Sequence, residues 1–466
     1  MPYHSMRYLT LFGAVCLLTL AGCADELTGF DADAPDVVAP VPETPDADLA
    51  GIIADVRTQI EHSPKVMNKE ALYGRLDAIG QSQAALGDTE AARGLLSLLG
   101  LDLDFVLVYV PSVTDPEEES ASTFSGHRVK KRSYYRDSIS GVSFSISIRG
   151  VLSLLNSLLT DPSVLFIQFD DVMSRPLDVS AYQAIGEQQL PWGIVNAEAP
   201  LSSAAAGDGS GAVEVDLFVI DSRVSHSDLR VVSETSFLSY RDLPDTEGHG
   251  THVAGTAAAL DNGFGVVGTA PGARVHALEV LDAHGAVKLS TLLSAVDHVA
   301  AYRRAHPDTP IVVNMSIGGY TGTTSYNALD LAVKASIEQG IVYCVSAGND
   351  GSNAARYSPA HVTEAITVGA FNPDGGFASY SNYGSVVDVL APGTDVLSTL
   401  VGGRYGLLSG TSMATPHVAG AAALYLSMHP GASPEEVRDA IVQSARAGIT
   451  RVPTGTTRRA LRMSGF

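Results

Sequence analysis

The sequence predicts an α/β domain built on a mainly parallel sheet, preceded by a small α+β domain. From about Gly193 onward, strand-like runs such as VDLFVID and IVVNMSI alternate with helix-like stretches, LSTLLSAVDHVAAYRRA and SYNALDLAVKASIEQG, and strands interleaved with helices pair in parallel. Upstream, at about 103–171, the order is instead strand, strand, helix, strand. With 466 residues and 45% hydrophobic content, the chain can bury a large core and still carry accessory segments.

The elements follow in order. Arg7 and an apolar run from Tyr8 to about Leu20 have the length of a signal peptide and are too short to span a bilayer. The run closes in Leu20-Ala21-Gly22-Cys23, which resembles the bacterial lipobox and implies cleavage at 1–22 and lipid attachment to Cys23. An ordinary signal peptide with an incidental cysteine is the alternative, and both readings export the protein. Residues 23–48 are acidic and Pro-rich with little to bury, an extended tether. Over 49–102, Ile53, Val56 and Ile60, then Leu72, Leu76 and Ile79, recur at helical spacing and predict two or three short helices. The cysteines are Cys16, Cys23 and Cys344, so no disulfide framework holds the mature fold. A net charge of -22 disfavours nucleic acid and anionic bilayers as electrostatic partners.

At 103–175 the reading is FVLVYV as a strand, an acidic loop, the basic patch from Arg128 to Arg132, the strand SGVSFSISI, the helix VLSLLNSLL and the strand SVLFIQFDD. The closing strand carries Pro162, Val164, Ile167 and Asp170, and the module resembles the inhibitory propeptide of subtilases; a separate binding module is the alternative. After a polar linker, QQLPWGIVNAEAP with Trp192 resembles the start of a mature subtilase. That places processing between about 171 and 188, and a catalytic domain at 188–466.

Hydrolysis by serine needs a nucleophile, an imidazole base, a carboxylate to orient it and donors for the oxyanion. Asp221 ends VDLFVID, His249 lies in GHGTHVAGT and Ser412 in SGTSMATPHVAG, the chain order Asp, His, Ser. Ser412 precedes an apolar helix whose N-terminus supplies positive dipole and N–H groups, with Pro416 expected in the first turn. A helix-capping role for Ser412 is the bland reading.

These motifs identify the chain as resembling the subtilisin-like serine proteases, in particular the proteinase K branch, through YSPAHVTEAITVGAF and FASYSNYGSVVDVLAPGTDVLST. The resemblance covers about 103–466 and implies a subtilisin-like three-layer domain, with Asp221, His249 and Ser412 as triad and Asn349 as the oxyanion side chain. It implies that Ser316, Ile317, Gly318 and Gly319 pair with extended substrate and that Ala347 and Gly348 form the facing wall. His252 and His417 are expected to be structural. The opposite edge strand has Val287 where glycine is common. A structural calcium would be held by the Thr363 and Ala365 carbonyls and Asp388, which is equally readable as a strand-end aspartate; the chemistry itself requires no cofactor. One departure is the Asp221 loop: Asp221-Ser222-Arg223 lacks the usual glycine and reaches His226 about two residues early.

The expected function is a secreted, autoprocessed serine endopeptidase, monomeric, acting on polypeptides, inhibited by its own propeptide and held at a bacterial cell envelope by its lipid. A subtilase-fold binding protein with impaired catalysis is the alternative that the altered Asp221 loop supports. An esterase is a third, disfavoured by the peptide-pairing SIGG strand.

Overall fold

Helical spacing of apolar residues and period-two alternation build the upstream module. The computed structural model describes residues 49–86, 102–174, 179–183, 186–238 and 248–466; the expected signal peptide, Cys23 and the tether lie outside the described residues, as do parts of the expected processing region. Helix α1 (Leu49–Glu61) buries Leu49, Val56 and Ile60. Strand β1 (Val66–Met67) leads to α2 (Lys69–Leu86), which buries Leu72, Leu76 and Ile79. Then come β2 (Asp102–Tyr109), α3 (Pro116–Thr123), β3 (Val129–Tyr135), β4 (Gly141–Ser147), α4 (Ile148–Thr160) and β5 (Val164–Phe169). The sheet order is β1-β5-β2-β4-β3, antiparallel except for β1 beside β5. Val56, Ile60 and Leu76 share one core with Leu154, Leu155 and Ile167, so residues 49–86 pack as part of the same module.

Two elements differ from the sequence reading. The acidic loop is helix α3, because Asp115 accepts hydrogen bonds from the Glu117 and Glu118 N–H groups, Pro116 occupies the first turn, and the glutamates lie at the positive end of the helix dipole. The basic patch is the edge strand β3, where Lys130 pairs with Asp102 at 2.9 Å and Arg132 with Asp104 at 2.9 Å. Lysines on an edge strand also discourage pairing with another chain.

The second body continues with β6 (Val172–Ser174), β7 (Val179–Gln183), α5 (Trp192–Asn196), β8 (Asp216–Asp221), β9 (Val231–Ser236), α6 (His249–Ala258), β10 (Arg274–Glu279), β11 (Ala286–Lys288) and α7 (Leu289–Ala305). It goes on through β12 (Ile311–Met315), β13 (Gly319–Tyr320), α8 (Ala328–Glu338), β14 (Val342–Ser346), β15 (Tyr357–Ser358), β16 (Ile366–Phe371) and β17 (Val389–Pro392). It closes with β18 (Val396–Leu400), β19 (Arg404–Leu408), α9 (Thr411–Met428), α10 (Pro434–Ser444), β20 (Arg446–Ala447) and β21 (Arg459–Ala460).

Among the described residues the main sheet has the order β20-β21-β17-β16-β14-β12-β8-β10-β9, parallel from β17 through β9. One face buries α6 and α9, with Val253, Ala257, Val418 and Ala422 against Leu217 and Val368. The other buries α7 and α8, with Leu292, Val296, Leu329 and Val333 against Phe218 and Val313. These are the three layers of a subtilisin-like fold. Sheet order reverses at β8, which builds β10 and β9 on one side and β12, β14, β16 and β17 on the other. In open α/β sheets, sites form at strand C-termini beside such a switch.

The upstream sheet packs its free face, Val106, Val108, Tyr135 and Phe166, into the α7–α8 layer. Its last strand also caps both helices. Asp170 accepts from the Ser290 N–H at 2.9 Å and hydroxyl at 2.7 Å, and Gln168 accepts from the Ala328 N–H at 3.0 Å. In return, Asp297 of α7 accepts from the N–H groups of Asp137 and Ser138, both at 2.7 Å.

Candidate active site

β8 runs outward and ends on Asp221, directly beside the switch. Its Oδ1 accepts from the Ser222 N–H at 2.7 Å and lies 2.6 Å from Nδ1 of His249, the first residue of α6; both side chains are fully buried. The short loop leaves this pairing in place, and Arg223 is exposed rather than lying in the pair. Gly250 allows the close approach: a methyl there would sit 2.2 Å from the Ser222 carbonyl oxygen.

Ser412 stands in the first turn of α9, where the helix offers its N–H no internal acceptor. Its hydroxyl donates to the Ser316 carbonyl at 3.1 Å, just past the end of β12. Pro416 is in the second turn rather than the first. A proline there cannot donate to the carbonyl four residues back, which is that of Ser412. The Ser316 hydroxyl donates to that carbonyl instead, at 2.9 Å, and so ties the Ser316–Gly319 segment to the serine.

Asn349 follows β14. Its Oδ1 accepts from the Thr411 N–H at 2.8 Å and hydroxyl at 2.9 Å, which commits the oxygen and orients Nδ2 as a donor. Ala347 and Gly348 are fixed by Asn382, whose amide donates to the Ala347 carbonyl at 2.9 Å and whose N–H donates to the Gly348 carbonyl at 2.9 Å. The sequence reading did not single out Asn382 or Thr411; the signal available was their position inside FASYSNYGS and directly before Ser412. His252 and His417 are buried and bonded to backbone carbonyls, with burial pushing His252 down to about 3 and His417 to about 4. Both stay neutral.

Strand β6 lies antiparallel on β11, with Met173 opposite Val287. A methyl at Gly319 would sit 3.0 Å from the Met173 side chain, so the upstream segment reaches the Ser316–Gly319 segment as well. The calcium set does not fit the ion as arranged. The Arg438 guanidinium donates to the Thr363 carbonyl, and Asp388 accepts from the Thr367 N–H at 2.8 Å. A fixed positive charge already holds the carbonyl that calcium would need.

Fold and sequence relatives together define a serine endopeptidase. Residues 192–465 match the family model described as Subtilase family, and the chain belongs to that family. It is 40% identical over 298 residues to Subtilisin NAT of Bacillus subtilis subsp. natto, covering 62% of this chain and 72% of that protein. It is 42% identical over 265 residues to Subtilisin of Bacillus pumilus, covering 55% and 92%. Alkaline serine exoprotease A of Vibrio alginolyticus is 35% identical over 355 residues, covering 74% and 62%.

Proposed function

We propose that this endopeptidase works through a triad of Asp221, His249 and Ser412, and is made as an exported precursor that its own upstream module, 49–175, holds inactive until it cuts itself. Asp221 would hold Nδ1–H of His249, leaving Nε2 to take the Ser412 proton as the hydroxyl attacks the substrate carbonyl. The Asn349 amide and the Ser412 N–H would share the oxyanion charge. Collapse releases the amine, protonated by His249, and water then hydrolyses the acyl-enzyme. The chemistry needs no cofactor.

The observation that carries the reading is β6 on β11 with Met173 against Gly319: an extended piece of the chain pairs with an edge strand and lies along Gly319, as an extended peptide substrate would on this reading. The cut would fall shortly after Ser174, within the 171–188 interval. Ser316–Gly319 and Ala347–Gly348 would wall the primary pocket, with apolar or aromatic side chains preferred. Export fits the word exoprotease in the Vibrio relative's name and the apolar start of the chain; anchoring through Cys23 is part of the same proposal.

Kinetics of Asn349→Ala test the chemistry. Turnover should fall on the order of 10²–10³-fold with KM little changed, a magnitude carried over from subtilisins themselves rather than derived from this geometry. Unchanged turnover would remove Asn349 from the mechanism.

A further inference from the structure

A second buried Ser, His and Asp cluster lies next to the proposed pocket walls. Asp330, in the first turn of α8, is fully buried and accepts from the Ser358 hydroxyl at 2.6 Å on Oδ1. Its Oδ2 accepts from the Asn327 N–H at 2.8 Å and faces Nε2 of His361 at 2.7 Å. The other ring nitrogen, Nδ1 of His361, faces the Ala355 carbonyl at 3.1 Å. A carbonyl and an ionised carboxylate only accept, so these two partners satisfy both ring nitrogens when each carries a hydrogen, as in the imidazolium. His361 is buried, 4% exposed.

The segment pinned at its two ends by this ring, 355–361, touches both proposed pocket walls. β15 pairs with β13, placing Ser358 opposite Gly319. A methyl at Gly318 would lie 2.9 Å from the Ser358 carbonyl oxygen, and one at Gly348 would lie 3.4 Å from the Tyr357 ring. The segment therefore lies against both proposed walls.

We infer that His361 is a positioning residue for substrate binding: as a cation clamped between Asp330 and the Ala355 carbonyl, it holds 355–361 and through it the Gly318–Gly319 and Gly348 walls in their substrate-binding places. The inference rests on the proposed role of those walls. Ser358, His361 and Asp330 are not a second hydrolytic centre, because Ser358 donates to Asp330 rather than to the imidazole.

The clamp has a pH consequence. Burial opposes the imidazolium, but the bond and charge of Asp330 and the Ala355 carbonyl outweigh it and raise the His361 pKa above the usual histidine value. A raised histidine contributes fully below its unfolded value, near 6.5, and loses its contribution as pH rises through the folded value. Two other side chains face the ring: Asp330 at 2.7 Å and Tyr326, which stacks on it at 5.5 Å.

The test is kcat and KM for a tetrapeptide substrate between about pH 6 and 10, on the processed enzyme. For the wild type, KM should climb about tenfold on the alkaline side while kcat holds, since one charge-assisted hydrogen bond is lost. His361→Gln should show the high KM at every pH. His361→Arg, which keeps the cation, should flatten the alkaline rise, a result no purely structural role predicts. A wild-type KM flat across this range, or an Arg variant whose KM still climbs like the wild type, overturns the inference even if a variant folds poorly. Absence of peptide hydrolysis in the wild type would instead sink the proposed function.

Discussion

Asp216 and Asp221 open and close the same strand, yet their neighbours give them different work. Asp221 faces the His249 imidazole at 2.6 Å. Asp216 accepts from the Arg274 guanidinium at 2.5 Å and the Tyr302 hydroxyl at 2.8 Å. Burial opposes its charge, but the bonds from His276, Tyr302 and Arg274 outweigh burial and hold the carboxyl down to about 2. A depressed carboxyl contributes stability above its unfolded value and loses it as pH falls through the folded one. Asp216→Asn should therefore cost about 2 kcal/mol at neutral pH and close to nothing near pH 2, with kcat kept. Urea unfolding at both pH values checks this; equal stability at neutral pH would mean the bonds give no net gain. At this scale the pairing of Asp221 with His249 and the place of Asn349 beside the turn before Ser412 were legible, because each lies in a short contiguous motif at a strand or helix end. Asn382 and Thr411 were not, because they act by holding backbone groups, which carry no side-chain signature.

Strand β5 does the docking at the next scale. It buries Val164 and Ile167 in its own module and Phe166 against the α7–α8 layer, while Gln168 and Asp170 cap the two helices. A lost N-cap costs about 1 kcal/mol, so Asp170→Ala should speed release of the cleaved module by roughly fivefold. The lag before full peptidase activity appears measures it; an unchanged lag would show that the α7 cap does not hold the module. The long apolar strands and α4, α7 and α9 were legible from periodicity. Helix α3 was not, since PEEESAST has no apolar stripe and only the Asp115-Pro116 start betrays it. β3 was hidden by its charges, which solvate an edge rather than bury a face. The three-residue strands β6 and β11 exist only because they find each other across the chain.

Across the whole molecule, the segment that leaves the upstream sheet pairs, as β6, with β11 of the body that follows. The family and the three-layer fold were readable because the motifs around Asp221, His249 and Ser412 stand at the ends of sheet strands and helices. The role of residues 49–86 was not, because their pairing of Val66–Met67 onto β5 is set by tertiary packing and leaves only a two-residue trace. The most direct measurement is the intact mass and peptide hydrolysis of the purified wild type beside Ser412→Ala. The account predicts that the wild type loses everything upstream of a bond between about residues 171 and 188 and hydrolyses peptide, while Ser412→Ala stays at full precursor length and inert. A Ser412→Ala protein that shortens to the same mass when purified alone, or that retains turnover, would contradict it.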